Sequence, residues 1–438
     1  MPSMHLALYL TDAGIHLGGW RHPRAERVPP LDLGWYRRLA QAAEHACLDL
    51  LFIADKLGLD DIHGGDFTST VETRAVGGHP EPITMLSALA GATERIGLAG
   101  TVSASYAQPY TVARQLASLD HLSGGRAAWN VVTSVSDGEA RNHGRDRHYE
   151  HAERYRRAAE FIEVVHKLWD SWQSGWEVID KAAGRHGDAS RLRAIDHAGE
   201  FFRVKGPLNL PRPPQGRPVL VQAGVSGDFR RVAARHAEIV FTVAADEGKA
   251  RAAYAEFKAE VAAAGRDPAA VRVLPGIVPI VGETERDARD LDRELRELVL
   301  PRAGLSFMSA SMNHDLAAYD PQAKVFDFTD RITGSKGRFE PVVRRAAAEG
   351  LTFAELGKWY GESLSFLAPV GTAAQVAELM ARWFRDGVAD GFVVLPAFMP
   401  DGARDFLAGV VPELRARGAF REGYADAPTL RERLAARG

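Results

Sequence analysis

His151 and Tyr155 lie four residues apart, so on a helix their imidazole and phenol share one face. Both can donate a hydrogen bond while neutral, Tyr155 through its O–H and His151 through a ring N–H, which suits them to an anionic oxygen such as phosphate. A second segment, Gln222-Ala223-Gly224-Val225-Ser226-Gly227, combines small residues with a hydroxyl at the start of an expected helix. There the free N–H groups and the helix dipole favour negative charge. Taken alone, an ordinary strand-to-helix turn capped by Ser226 explains the same residues equally well. Beside the His151–Tyr155 pair, the phosphate reading becomes the stronger of the two.

Further candidates stand where apolar runs end. Asn130 interrupts the run 127–133, and a buried amide must find partners, either in a heteroaromatic ligand edge or in neighbouring backbone. Thr133 and Ser134 close that run with hydroxyls, and Ser103 and Ser105 do so for an earlier one. Asp55, after Phe52-Ile53-Ala54, can accept from a ligand N–H or cap its loop. Trp20, Arg21 and His22 either line a substrate cavity or form a solvated turn; Arg21, Arg74 and Arg302 are either partners for an anionic substrate or surface charges. These groups bind rather than react. No GxSxG elbow, HExxH pair or Walker loop is present, and the 15 histidines lack ligand spacing, His143, His148 and His151 being the nearest group, so no metal is expected. A phosphate grip without an acid–base set points to chemistry carried by a cofactor.

The elements that would position these residues follow from hydrophobic patterning. Apolar runs at 4–10, 49–54, 96–103, 127–133, 218–223, 239–243, 271–281 and 391–396 are mostly continuous, as parallel strands covered on both faces should be. Helical periodicity appears at 34–47, 82–92, 109–122, 151–172, 229–237, 249–264, 284–299 and 372–386. Eight alternations predict an α/β fold, a (β/α)8 TIM barrel, whose strand carboxyl ends carry the site. A doubly wound open sheet is the competing architecture, but no GxGxxG follows a strand. Two inserted stretches, 173–217 and 301–368, break the repeat, and 301–368 is expected to serve as a lid on a single domain spanning 1–438. Net charge is −3, from 54 basic and 57 acidic residues, which favours neither nucleic acid nor an anionic membrane. The single Cys47 excludes an intrachain disulfide and reads as a packed thiol. With no leader-like start and no apolar run near about 18 residues, a soluble, cytoplasmic protein is expected.

Several segments, collinear over nearly the whole chain, resemble the bacterial-luciferase-like flavin monooxygenases, in particular the nitrilotriacetate and dibenzothiophene-sulfone monooxygenase group. They are residues 19–23, 119–126 continuing through Trp129-Asn130-Val131-Val132-Thr133-Ser134, His151 to Tyr155, 206–209, 215–218 into 222–224, 390–392, and 411–414 before Arg417-Gly418. The Trp-Asn-Val-Val-Thr-Ser segment is the specific one.

The resemblance implies a TIM barrel that uses reduced FMN (FMNH2) from a separate NAD(P)H-dependent flavin reductase. With O2 it would oxygenate a small organic substrate through a flavin (hydro)peroxide, and it would assemble as a dimer or tetramer. It implies flavin contacts at Asp55, Ser103, Asn130, Thr133, His151, Tyr155, Gly224, Ser226 and Gly227, the phosphate near Tyr155, Ser226 and Gly227, and the ring near Ser103 and Asn130. One position departs: relatives often carry His before the Pro-Tyr pair at 109–110, and here it is Gln108, which joins Asn130 as a candidate for the chemistry. Two other outcomes stay open, a deazaflavin-dependent hydride transfer on the same barrel and a non-catalytic flavin-binding protein.

Overall fold

The computed structural model describes residues 3–26, 31–74, 80–224 and 227–436. Eight parallel strands close into a barrel: β1 (His5–Tyr9), β2 (Leu50–Ile53), β3 (Gly97–Ser103), β4 (Ala127–Val132), β5 (Val219–Ala223), β6 (Ile239–Thr242), β7 (Arg272–Ile277) and β8 (Gly391–Val394). Each pairs with its neighbours in chain order and β8 returns to β1. Period-two alternation sorts the side chains of β4. Trp129 and Val131 pack outward among the helices, Trp129 lying 5.7 Å from the Phe161 ring. Ala128 belongs instead to the interior cluster with Leu50, Phe52 and Val221. Both faces of a strand are therefore buried, which is why the runs read as continuous hydrophobics.

Helices α1 (Leu33–His45), α2 (Pro82–Ala90), α3 (Pro109–Leu122), α4 (His151–Trp169), α5 (Gly227–His236), α6 (Glu247–Ala263) and α7 (Glu285–Glu297) follow the strands. The eighth barrel helix comes after the second insertion. Every strand and helix expected from the pattern is present, with small differences at the ends. The run 271–281 is divided: β7 stops at Ile277, and after Pro279, which has no N–H to donate, Ile280–Gly282 leaves the barrel. It pairs in parallel with Val370–Thr372 and so ties together the base of the second insertion.

The insertions differ from each other. The first forms two short antiparallel pairs, Glu177–Asp180 with Arg185–Gly187 and His197–Ala198 with Arg203–Val204, lying against the outside of α4 through Glu160. The second is helical: α8 (Pro301–Met312), α9 (Lys336–Ala348) and α10 (Phe353–Ser363), before α11 (Ala373–Arg385) resumes the barrel. Its weak periodicity in sequence has a packing cause. Helix α8 buries Gly304, Ser306 and Ser309 along with its apolar residues, so no polar face stands out. Gly304 is required at the α8–α10 crossing, where a Cβ would lie 1.8 Å from the Gly357 carbonyl oxygen.

At the amino ends of the strands the buried polar groups are densely paired. Arg126, just before β4, donates five side-chain hydrogen bonds, to the carbonyls of Ser123, Ile96, Ala90 and Thr93 and to Thr93 Oγ1. Asp49, before β2, accepts from Leu6 N at 2.8 Å and from Arg421 at 2.7 and 2.8 Å. Burial alone would raise its carboxyl, but Arg421 and His5 hold it well below the usual range.

Candidate active site

At the opposite end, the carboxyl ends of β2, β4, β5 and β6 surround a cavity of about 350 Å³ that the second insertion covers. That volume falls in the range of cofactor and small-molecule sites, roughly 300–1,000 Å³. Asp55, Thr133, His151, Tyr155 and Gly224 all line it. The two segments expected to grip a phosphate therefore meet at one site. Helix α4 begins at His151, and its imidazole and the Tyr155 ring lie 4.8 Å apart on one face, as the four-residue spacing requires. Gly224 has φ +150°, a conformation that favours glycine, and its N–H reaches the Phe241 carbonyl at 3.3 Å.

Beneath the cavity the strand hydroxyls are linked. Ser134 adopts φ +54° and turns the chain out of β4, bringing its Oγ within 2.9 Å of Ser103 Oγ. Ser105 donates to the Thr133 carbonyl at 2.6 Å. Asn130 sits one pleat below the cavity-lining Val132, 2 % exposed, and its Nδ2 donates to Thr101 Oγ1 at 2.8 Å. Its Oδ1 is buried with no hydrogen-bond partner among the described residues. Asp55 is pushed up to about 6, first by burial and then by Glu81 and Glu139, against a backbone N–H bond from Lys56.

Other expected residues stand apart. Trp20 and Arg21 form an exposed turn, Arg21 donating to the Leu298 carbonyl at 2.6 Å, and buried His22 faces Glu294 at 3.3 Å and Phe398. Arg74 pairs with Asp12 and Arg302 with Glu72, so neither cation is turned toward the cavity. Gln108 is exposed at the start of α3 and does not line the cavity. The structure thus separates these six residues from the site. Gly227 opens α5, with open space where a Cβ would be, while Ser226 lies outside the described residues.

The cavity also contains groups that sequence reasoning passed over. Arg154 is 3 % exposed, donates to the Ser134 carbonyl at 3.3 Å, and has a buried Nε with no partner among the described residues; burial lowers its pKa. Its signal was present, since three residues after His151 falls on the same helix face. Glu139 accepts from Val135 N at 3.0 Å, Ser136 N at 3.1 Å and Leu57 N at 3.4 Å, fastening the loops after β4 and β2 together. Burial would raise this carboxyl, yet the hydrogen bonds and Lys56 bring it below its ordinary value. Phe241 and Phe366 stack at 5.7 Å as an aromatic wall, and Lys336 and Arg338 enter from α9. Among the described residues no three His, Cys, Asp or Glu side chains are grouped to hold a metal, and no helix is long and apolar enough to cross a membrane.

The sequence profile of the luciferase-like monooxygenases matches residues 13–390. The chain belongs to that family. It is 41% identical to nitrilotriacetate monooxygenase component A of Aminobacter aminovorans, over 98% of this chain and 96% of that protein. It is also 41% identical to the dibenzothiophene-sulfone monooxygenase of Rhodococcus erythropolis (strain XP), over 99% and 97%. The crystal structure of riboflavin lyase with modified FMN and riboflavin superimposes with a TM-score of 0.89 at 32% identity, covering 99% of this chain and 96% of that one. As in other luciferase-like monooxygenases, the barrel is closed and parallel. Its mouth offers donors, a buried guanidinium and an aromatic wall rather than a catalytic triad.

Proposed function

We propose that this chain is the oxygenating component of a two-component monooxygenase. It would take reduced FMN from an NAD(P)H-dependent flavin reductase and use O2 to oxygenate a small organic substrate. The observation that carries this reading is the convergence of His151, Tyr155, Arg154 and Gly224 on one cavity that also has Asp55 and Thr133 in its wall. Buried atoms at the site, among them Arg154 Nε and Asn130 Oδ1, have no hydrogen-bond partner among the described residues, and a flavin phosphate and a flavin ring edge offer the complementary acceptor and donor. His151, Tyr155, Arg154 and the start of α5 with Ser226 would hold the phosphate. Asp55, Ser103, Asn130 and Thr133 would orient the ring. When bound, reduced FMN supplies the electrons that activate oxygen.

The remaining work falls to the protein's own groups. Phe241, Phe366 and the second insertion would keep water from the site, so that oxygen reaches substrate rather than escaping as hydrogen peroxide. In this reading the insertion acts as a lid on a single domain. The riboflavin lyase, which carries a modified FMN, supports FMN as the cofactor, and the wording "component A" of the nitrilotriacetate relative supports a separate partner. The test combines the protein with a flavin reductase, NADH, FMN and O2 over a panel of amines, thioethers and sulfones. Oxygenated product at the expense of peroxide is expected. Oxygen uptake no greater than that of the reductase alone, with no product from any compound, would contradict the proposal.

A further inference from the structure

The substrate side of the cavity has a charge pattern that the flavin does not explain. Four cationic side chains line the cavity: Lys56, Arg154, Lys336 and Arg338. Lys56 is paired with Asp60, and Arg154 stands beside the proposed phosphate contacts. Lys336 and Arg338 come from the second insertion, on the first turn of α9. Among the described residues neither forms an ion pair. Other arginines of the same helix do: Arg345 reaches Glu349 at 2.7 Å and Arg344 lies 3.7 Å from Glu340.

Arg338 is also built in rather than loosely placed. Its guanidinium lies among four rings, 5.4 Å from the Phe366 centroid, 5.6 Å from Phe339, and 5.8 Å from both Phe307 and Tyr360. One Nη donates to the Leu364 carbonyl at 2.8 Å, while Nε is buried without a partner. Phe366 precedes Leu367, which bridges to Ile277 of β7, so the ring beside this guanidinium stands on the β7 side of the mouth. Lys336 lines both this cavity and an adjoining one of about 610 Å³, which it shares with His148, His151, Asp137, Glu150 and Asp330, and so stands at the junction between them. Cations in the first turn of a helix oppose its dipole, and a bound anion there relieves both. Of the two carboxylates lining this cavity, Glu139 is consumed by backbone N–H groups and Asp55 carries a carboxyl that burial makes reluctant to ionise, while Asp137, Glu150 and Asp330 line the adjoining one.

We propose that Arg338, with Lys336 at the junction, forms a carboxylate-binding subsite, so that the compound oxygenated by this protein is an organic acid. The inference rests on the monooxygenase reading above and assigns the substrate class at that same site. A planar guanidinium held by aromatic rings matches a carboxylate in two parallel hydrogen bonds, with Lys336 adding charge at the entrance.

The test uses matched probes, small thioethers and tertiary amines each as the free acid and as its methyl ester, with wild type, Arg338→Gln and Lys336→Gln. In one arm, product per NADH is measured with the reductase present. In the other, which needs no turnover, the protein–FMN complex is titrated with each probe without oxygen and the flavin absorbance followed. Acids are expected to saturate at least about tenfold more tightly than their esters, and Arg338→Gln should abolish that preference while reduced-FMN affinity stays unchanged. Equal response to acids and esters, or no response to any acid, would overturn the inference. So would loss of FMN affinity in Arg338→Gln with probe preference intact, which would assign the cation to the cofactor. Peroxide formation with bound FMN in any of these cases leaves the monooxygenase reading standing, whereas failure of FMN to bind wild type removes that reading itself.

Discussion

Arg126 and Arg154 are each 3 % exposed, one at the foot of the barrel and one at its mouth. Arg126 spends its guanidinium on five hydrogen bonds to four carbonyls and a hydroxyl, whereas Arg154 donates to the Ser134 carbonyl at 3.3 Å, stands beside Tyr155, and has a buried Nε with no partner among the described residues. Burial lowers the pKa of both, so the cost of taking each charge out of water is incurred at both ends. The foot recovers more of that cost in hydrogen bonds than the mouth does. At the mouth, Tyr155, Tyr106 and Glu139 offset part of the cost, and in the proposed reading a bound anion would supply the rest, as a preorganised anion site requires.

The largest effect should come from removing the two arginines in parallel. Arg126→Met strands several buried carbonyls and should lower folding stability by roughly 3 kcal/mol or more. Arg154→Met should leave stability within about 1 kcal/mol of wild type, because little hydrogen bonding is lost. Its cost should appear instead in reduced-FMN binding, roughly 1.5–3 kcal/mol, or about 10- to 150-fold. Urea denaturation and anaerobic flavin titration of both variants read the two quantities separately. Equal destabilisation by both substitutions would break the comparison.

A smaller effect sharpens the same contrast. Tyr155→Phe and Ser226→Ala should each weaken reduced-FMN binding, by roughly 1.5–3 kcal/mol if the contact is charge-assisted, with the melting temperature nearly unchanged. Wild-type binding by both variants would misplace the phosphate.

The smallest effect concerns Asp55. Burial lifts its folded pKa to about 6 from an ordinary 3.8, so the fold binds its proton more tightly than the unfolded chain does. Stability from this group therefore falls as pH rises from about 4 to about 6 and stays reduced above. Asp55→Asn removes the penalty. Scanning calorimetry should show the variant gaining on wild type above pH ~6 and converging with it near pH ~4, while its flavin affinity drops. A constant difference at every pH would mean that the carboxyl is not held in the way described.

How much of this was legible in the sequence follows from which signals are local. Strand order and the His151–Tyr155 face depend on hydrophobic period and helical spacing, and both came through intact. Asp55, Thr133 and Gly224 could be placed because they follow strand ends, and in a closed parallel barrel all strand ends meet at one rim. Trp20, Arg21 and His22 satisfy the same rule, yet they turn toward α7 and the loop after β8 instead, since a residue several positions beyond a strand is aimed by tertiary contacts. Gln108 precedes α3 at the surface, with its side chain making no capping bond. Arg338 was invisible for a similar reason: it enters on an insertion whose helices are masked by buried serines and glycines, and its aromatic enclosure draws on Phe307, Tyr360 and Phe366, distant in the chain.

In the proposed reading the mouth grips a phosphate with groups that the fold itself brings to one cavity. This is tested most directly by comparing thermal denaturation of the wild-type protein with saturating FMN and with riboflavin, which has the same ring and no phosphate. A large rise in melting temperature with FMN and a much smaller one with riboflavin is expected, since ligand stabilisation scales with affinity. Equal rises with the two flavins would contradict the account.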